Sequence, residues 1–315
     1  MLLHLVLLAV AIAVTFMSGS LVVSGASFTA RCLGIRKMAI GMTVVAFGTS
    51  APEFVVSFVA MLMGKQGIAL GNVVGSNIAN VGLALAVAAL AAPIAVSRRN
   101  LVVEYPAMIL LSLALFGAAL TGGTIGRAEG AVLVAGLIAF IVYTSTLARE
   151  NRDQSSSSEE VADRSKLPRN VMLILLGLVG LSVGSKLLVD SSVAILSAFG
   201  IPEFIIGATV VAVGTSLPEI ATTAIGAWKG EREIAVGNII GSNVFNIGMV
   251  AGTMSLIAPI SVAPQTLRYE FPVMLFFSLL MLPLLLREKG VGRTWGVIAG
   301  AAYVAFVVIA LSRPG

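Results

Sequence analysis

The sequence predicts an all-α membrane protein: ten transmembrane helices, built as two inverted-topology repeats of five. Three observations carry this expectation. The 315 residues are 58% hydrophobic and only 11% charged, with a mean hydropathy of +1.02, whereas a soluble domain carries about 25% charge. Ten apolar runs follow one another, each close to the roughly 20 residues that a helix needs to cross a bilayer. Residues 41–106 also align with 207–272 at a constant offset of 166 without a gap, with 28 of 66 positions identical.

Taken in order, the runs cover 2–24, 38–63, 68–96, 101–121, 128–148, 170–192, 203–228, 233–262, 271–286 and 294–312. The first has no basic stretch before it and reads as a span rather than a leader. Between the fifth and sixth runs lies the longest polar stretch, Arg149 to Asn170, which contains SSSSEE and reads as a flexible tether. The chain therefore divides into a first repeat (1–148), a cytoplasmic linker (149–169) and a second repeat (170–315). Five spans per half is an odd number, so the second half enters the membrane from the opposite side. With the N-terminus outside, fifteen lysines and arginines fall in cytoplasmic loops and four in outer segments. The positive-inside rule then places both termini outside. The net charge of +5 is explained by this topology signal, and no nucleic-acid partner is expected. The lone cysteine, Cys32, excludes an intramolecular disulfide.

Glu53 and Glu219 occupy equivalent positions, each deep within an apolar run. A charge at that depth costs at least about 2.5 kcal/mol. No Lys or Arg stands within ten residues of either except Lys229, near a loop. A bound cation is the natural partner. A protonated, hydrogen-bonded glutamate would explain one such residue, but hardly two at symmetric positions in repeated motifs. In Gly48-Thr49-Ser50-Ala51-Pro52-Glu53, Pro52 removes a backbone donor and crowds the preceding turn. The carbonyls from Ala46 to Thr49 should lose helical partners and become oxygen ligands for a hard cation. Gly214-Thr215-Ser216-Leu217-Pro218-Glu219 repeats the arrangement after Ala212, and the hydroxyls of Thr49, Ser50, Thr215 and Ser216 add oxygens.

A second motif, Gly71-Asn72-Val73-Val74-Gly75-Ser76-Asn77-Ile78-Ala79-Asn80, recurs at Gly237 to Asn246, where Ser242 matches Ser76. Ser76 and Asn80 share a helix face, and Asn72 extends it. The glycines at 71, 75 and 82 read as a packing surface, while Asn80 and Asn246 read as facing the cation. Glu104 and Glu270 read as interfacial anchors, and Lys186 and Asp190 as a local ion pair.

The candidate ligands are all oxygen, with no His or Cys cluster, which argues against zinc, copper and iron. Two carboxylates with neutral oxygens suit a dehydrated calcium ion or two sodium ions, and magnesium less well. Asp153, Asp163 and Asp190 leave no intramembrane aspartyl pair, His4 is the single histidine, and no GxxxxGK phosphate loop occurs. No enzyme, ATP-driven pump or cofactor is predicted.

These motifs resemble the alpha repeats of the calcium/cation antiporter superfamily, most nearly those of the prokaryotic sodium/calcium exchangers. The resemblance spans essentially the whole chain. It implies two inverted five-helix repeats around four central ion sites. The calcium ligands would be Glu53 and Glu219 with the backbone oxygens of Thr49 and Thr215. The sodium sites would add Ala46, Ser50, Ser76, Ala212, Ser216 and Ser242, with Asn80 and Asn246 completing the middle. It also implies calcium and sodium as the transported ions, the lipid bilayer of a prokaryotic inner membrane as the setting, and no need for an oligomer. Some relatives carry Asp where this chain has Asn246. With two central carboxylates rather than three, potassium co-transport is disfavoured. Sodium coupling ranks first and proton coupling remains the alternative. A cation channel could use the same ligands but would not need inverted repeats.

Overall fold

The computed structural model describes residues 2–96, 101–155, 163–200, 212–286 and 290–312. The chain is almost wholly helical. In the first half run α1 (Leu2–Leu33), α2 (Lys37–Thr49), α3 (Ala51–Leu62), α4 (Gln66–Ala91), α5 (Glu104–Leu120), the two-residue strand β1 (Thr124–Ile125) and α6 (Arg127–Ser155). The second half runs α7 (Leu167–Ala198), α8 (Ala212–Gly214), α9 (Leu217–Trp228), α10 (Arg232–Ile257), β2 (Ile260–Ser261), α11 (Thr266–Leu284) and α12 (Arg293–Ser312), the same helix order with its strand one helix earlier. Among the described residues seven helices are long and apolar enough to cross a membrane. The bent pair α2–α3 makes an eighth, and α5 is apolar but only 17 residues long. Each predicted run overlaps one of these helices or, for 38–63 and 203–228, two of them, and the part of 203–228 up to residue 211 lies outside the described residues. The helices flanking the predicted linker reach into it: α6 continues to Ser155, and a 3-10 turn at Arg164–Lys166 leads into α7.

Large apolar side chains point outward here. Leu2, Leu3, Met17, Leu175, Leu176 and Val179 are all exposed on α1 and α7, as a hydrocarbon solvent permits. Between helices the hydrophobic effect is weak in lipid, and close packing of small residues takes over. Along the α1–α7 seam, a Cβ on Gly177 would meet the Ser18 carbonyl at 2.8 Å, and one on Gly25 the Asn170 carbonyl at 2.8 Å. α10 is buried along nearly its whole length. A Cβ on Gly237 would stand 2.6 Å from the Met38 carbonyl, and one on Gly41 2.8 Å from that of Ile234, so α2 and α10 touch backbone to backbone. Gly71 and Gly75 differ from their copies. Among the described residues nothing lies within 4 Å of where their Cβ would be, and both border a cavity of about 220 Å³ with Glu270 and Tyr303.

Contacts recur in exchanged form between the halves. Ile125 pairs with Ile260, and Ile94 with Val291. Adding 166 to one partner and subtracting it from the other converts the first pair into the second.

At the start of α2, Arg36 Nη2 lies 2.8 Å from Glu104 Oε1, and Lys37 Nζ 3.0 Å from Glu231 Oε2. Ser27 Oγ donates to Glu231 Oε1 at 2.7 Å. Lys229 Nζ donates to the Ser24 and Ser20 hydroxyls, and its partial burial lowers its pKa below the ordinary lysine value. Glu104 is therefore no interfacial anchor. Its side chain is 1% exposed and neutralised by Arg36, a partner 68 residues away that helical spacing cannot reveal. Glu270 stays partly exposed. Lys186 and Asp190 form the expected local pair at 2.8 Å.

Candidate cation site

The helix break at Pro52 builds the site. α2 and α3 meet at 42° across Ser50. Pro52 lies in the first turn of α3, where its missing N–H costs nothing, but it leaves the Gly48 carbonyl without a donor four residues on. Glu53 follows within that turn, at the end of the helix whose dipole favours negative charge. Pro218 and Glu219 take the same positions in α9. The break starts one residue later than the sequence suggests. The Ala46 carbonyl keeps a helical partner, Ser50 N at 3.0 Å, and also accepts from Thr49 Oγ1 at 3.3 Å. It is not freed, because Ser50 is still reached by the last turn of α2. Of the second copy, Ala212 opens α8, and the preceding stretch lies outside the described residues.

Glu53 and Glu219 are both fully buried. Each receives a hydroxyl from the other half: Ser50 Oγ donates to Glu219 Oε1 at 3.0 Å, and Ser216 Oγ to Glu53 Oε1 at 3.3 Å. Two asparagines brace the break behind them. Asn72 Nδ2 donates to the Glu53 carbonyl at 3.1 Å and to Ser57 Oγ at 3.0 Å, while Asn72 Oδ1 accepts from Thr215 Oγ1 at 3.3 Å. Asn238 does the same with the Glu219 carbonyl (3.3 Å), Thr223 Oγ1 (3.0 Å) and Thr49 Oγ1 (3.1 Å). Thr49 Oγ1 also lies 3.4 Å from Ser242 Oγ. On the other side, Asn80 Nδ2 donates to Asn243 Oδ1, and Asn246 Nδ2 to Asn77 Oδ1, both at 3.1 Å. Asn80 and Asn246 each open a π-helical segment, Asn80–Ala84 and Asn246–Ala251. Such a wide turn often marks a functional position.

Glu53 Oε2, Glu219 Oε2, Asn80 Oδ1, Asn246 Oδ1 and Ser76 Oγ are buried without a hydrogen-bond partner. A buried acceptor left unpaired costs about 1–3 kcal/mol, and more when charged. Among the described residues no lysine, arginine or histidine pairs with either glutamate, and no cluster of three His, Cys, Asp or Glu occurs. The donor set is two carboxylates with amide and hydroxyl oxygens, which fits a hard cation. The structure thus brings together Thr49, Ser50, Glu53, Ser216, Glu219 and Ser242, with Thr215 joined through Asn72. The bracing roles of Asn77, Asn238 and Asn243 escape sequence reading. Their signal was present only as the unassigned asparagines of the second motif.

A family model described as sodium/calcium exchanger protein matches residues 3–146 and again residues 169–312. The chain is 36% identical over 316 residues to the inner membrane protein YrbG of Escherichia coli strain K12, covering 98% of this chain and 97% of that one. It is 31% identical over 323 residues to the sodium/calcium exchanger MaX1 of Methanosarcina acetivorans, covering 91% and 92%. Among solved structures it is similar to the sodium-calcium exchanger NCX_Mj soaked with 10 mM Na+ and zero Ca2+, with a TM-score of 0.82, 28% identity and 99% of both chains covered. The two matched segments are equal in length and stand 166 residues apart, the offset of the internal repeat, and the chain belongs to the sodium/calcium exchanger protein family.

Proposed function

We propose that this integral membrane protein is a secondary antiporter that exchanges calcium for sodium by alternating access. One observation carries the reading: two fully buried carboxylates, hydrogen-bonded across the halves, each keep an oxygen with no donor and no basic partner. Bound cations or protons must neutralise them. One calcium ion or a set of sodium ions does so, and competition for shared oxygens couples the two fluxes. Glu53 and Glu219, with oxygens of Thr49 and Thr215, hold the calcium. Ser50, Ser76, Ser216, Ser242 and the carbonyls of Ala46 and Ala212 serve the sodium positions, with Asn80 and Asn246 between them. At Ala46 this requires the Thr49 hydroxyl to turn away.

Ten spans in two inverted repeats, 1–148 and 170–315, place this site near the midplane. The family match to each half and the exchanged pairings support that plan. Fifteen basic residues against four favour outer termini and a cytoplasmic 149–169 linker. The lipid-facing α1–α7 layer is the part that shifts over the core. Asn at both 80 and 246 keeps a second reading, proton coupling, in play, since two carboxylates suffice for it.

Calcium uptake into proteoliposomes decides. Uptake that requires internal sodium, and its loss in Glu53→Gln and Glu219→Gln, is the expected result. Uptake driven by a proton gradient alone would move the protein to proton coupling. Full transport by both glutamine variants would overturn the site.

A further inference from the structure

We propose that Asn77 and Asn243 are positioning residues: each fixes the rotation of one site amide, Asn246 or Asn80, so that its oxygen meets the ion. The inference rests on the antiporter reading of the site. An asparagine amide is nearly the same shape when turned by 180°, but its two ends are chemical opposites. The oxygen binds a cation, and the NH₂ group repels one. Nothing within Asn80 selects the productive rotation.

The selection comes from a chain of two steps that starts at a sulfur. Asn243 Nδ2 donates to Met108 Sδ at 3.5 Å. A thioether is only an acceptor, so the nitrogen end of Asn243 belongs there and its oxygen faces the other way. That oxygen accepts from Asn80 Nδ2 at 3.1 Å. Asn80 Oδ1 is then turned away from Asn243, buried and without a protein donor. Turning Asn80 over would set oxygen against oxygen. The mirror chain runs from Met274 Sδ (3.8 Å) through Asn77 to Asn246 (3.1 Å), and leaves Asn246 Oδ1 equally free. All four asparagines and both methionines are at most 1% exposed, so water does not substitute for any partner. Each chain also crosses the halves: Asn243 on α10 sets Asn80 on α4, and Asn77 on α4 sets Asn246 on α10. The site amides are therefore aimed from the opposite repeat.

The test compares Asn243→Ala in two backgrounds, reading calcium KM and turnover separately in proteoliposomes. In the native background the amide of Asn80 is released, and KM should rise about tenfold or more, as for a lost bond to a charged group, with turnover within about twofold. In Asn80→Asp both ends are oxygen and rotation no longer matters, so the same substitution should not raise KM. If Asn80→Asp does not transport, calcium binding to the purified protein supplies the same comparison. Met108→Leu keeps the volume and removes the sulfur acceptor. It should raise KM by a smaller factor that Asn80→Asp also suppresses, and it keeps the proposal testable if Asn243→Ala does not fold. An unchanged KM in Asn243→Ala, or an equal loss in both backgrounds, overturns the positioning role. The antiporter reading stands or falls separately, on Glu53→Gln and Glu219→Gln.

Discussion

The two glutamates differ from ordinary buried carboxylates in where their help comes from. Ser50 and Ser216 each donate to the glutamate of the other half, so the hydroxyl beside Glu53 in sequence serves Glu219 in space. Removing a donor to a charged group costs about 1.5–3 kcal/mol. Ser50→Ala and Ser216→Ala should therefore each raise the KM for the exchanged ions about tenfold while transport persists, unlike the complete loss in the glutamine variants. Flux titrations against calcium and sodium check this, and wild-type KM values in both would remove the serines from the site. The burial of the glutamates was legible from the sequence, because they lie deep in apolar runs, and so was that of Asn80 through its helix face. The direction of its amide was not, since that depends on Asn243 and Met108, 163 and 28 residues away along the chain.

At the level of elements, apolar runs and the proline break located the helices, because both are local properties. What stayed hidden was set by neighbours. The π-helical turns at Asn80 and Asn246 have no composition that distinguishes them from α-helix. Glu104 begins α5 in a place where an interfacial carboxylate would be unremarkable, yet Arg36 draws it inside. Breaking a buried pair by removing one partner is strongly destabilising, whereas replacing both with apolar groups can be neutral. Glu104→Gln should lower stability by about 3 kcal/mol, read as thermal unfolding in detergent, and Arg36→Leu with Glu104→Leu should recover most of that loss. A Glu104→Gln protein as stable as wild type would make the pair dispensable.

Across the whole molecule the halves meet along α1–α7, along α2–α10, in the β1–β2 ladder and throughout the site. All of these contacts lie within the described residues. Separate expression of two chains cut within 156–162 should give fragments that co-purify from membranes and exchange calcium together, with neither active alone. Fragments that never associate would assign that segment a folding role. The hydroxyls that cross between repeats carry a further consequence for genetics. Ser216 and Glu53 lie 163 residues apart and behave as one locus, so a lesion in one copy is a lesion in the other. Second-site suppressors of a weak allele at residue 53 should accumulate in the distant copy rather than beside it, and neither copy is free to drift alone.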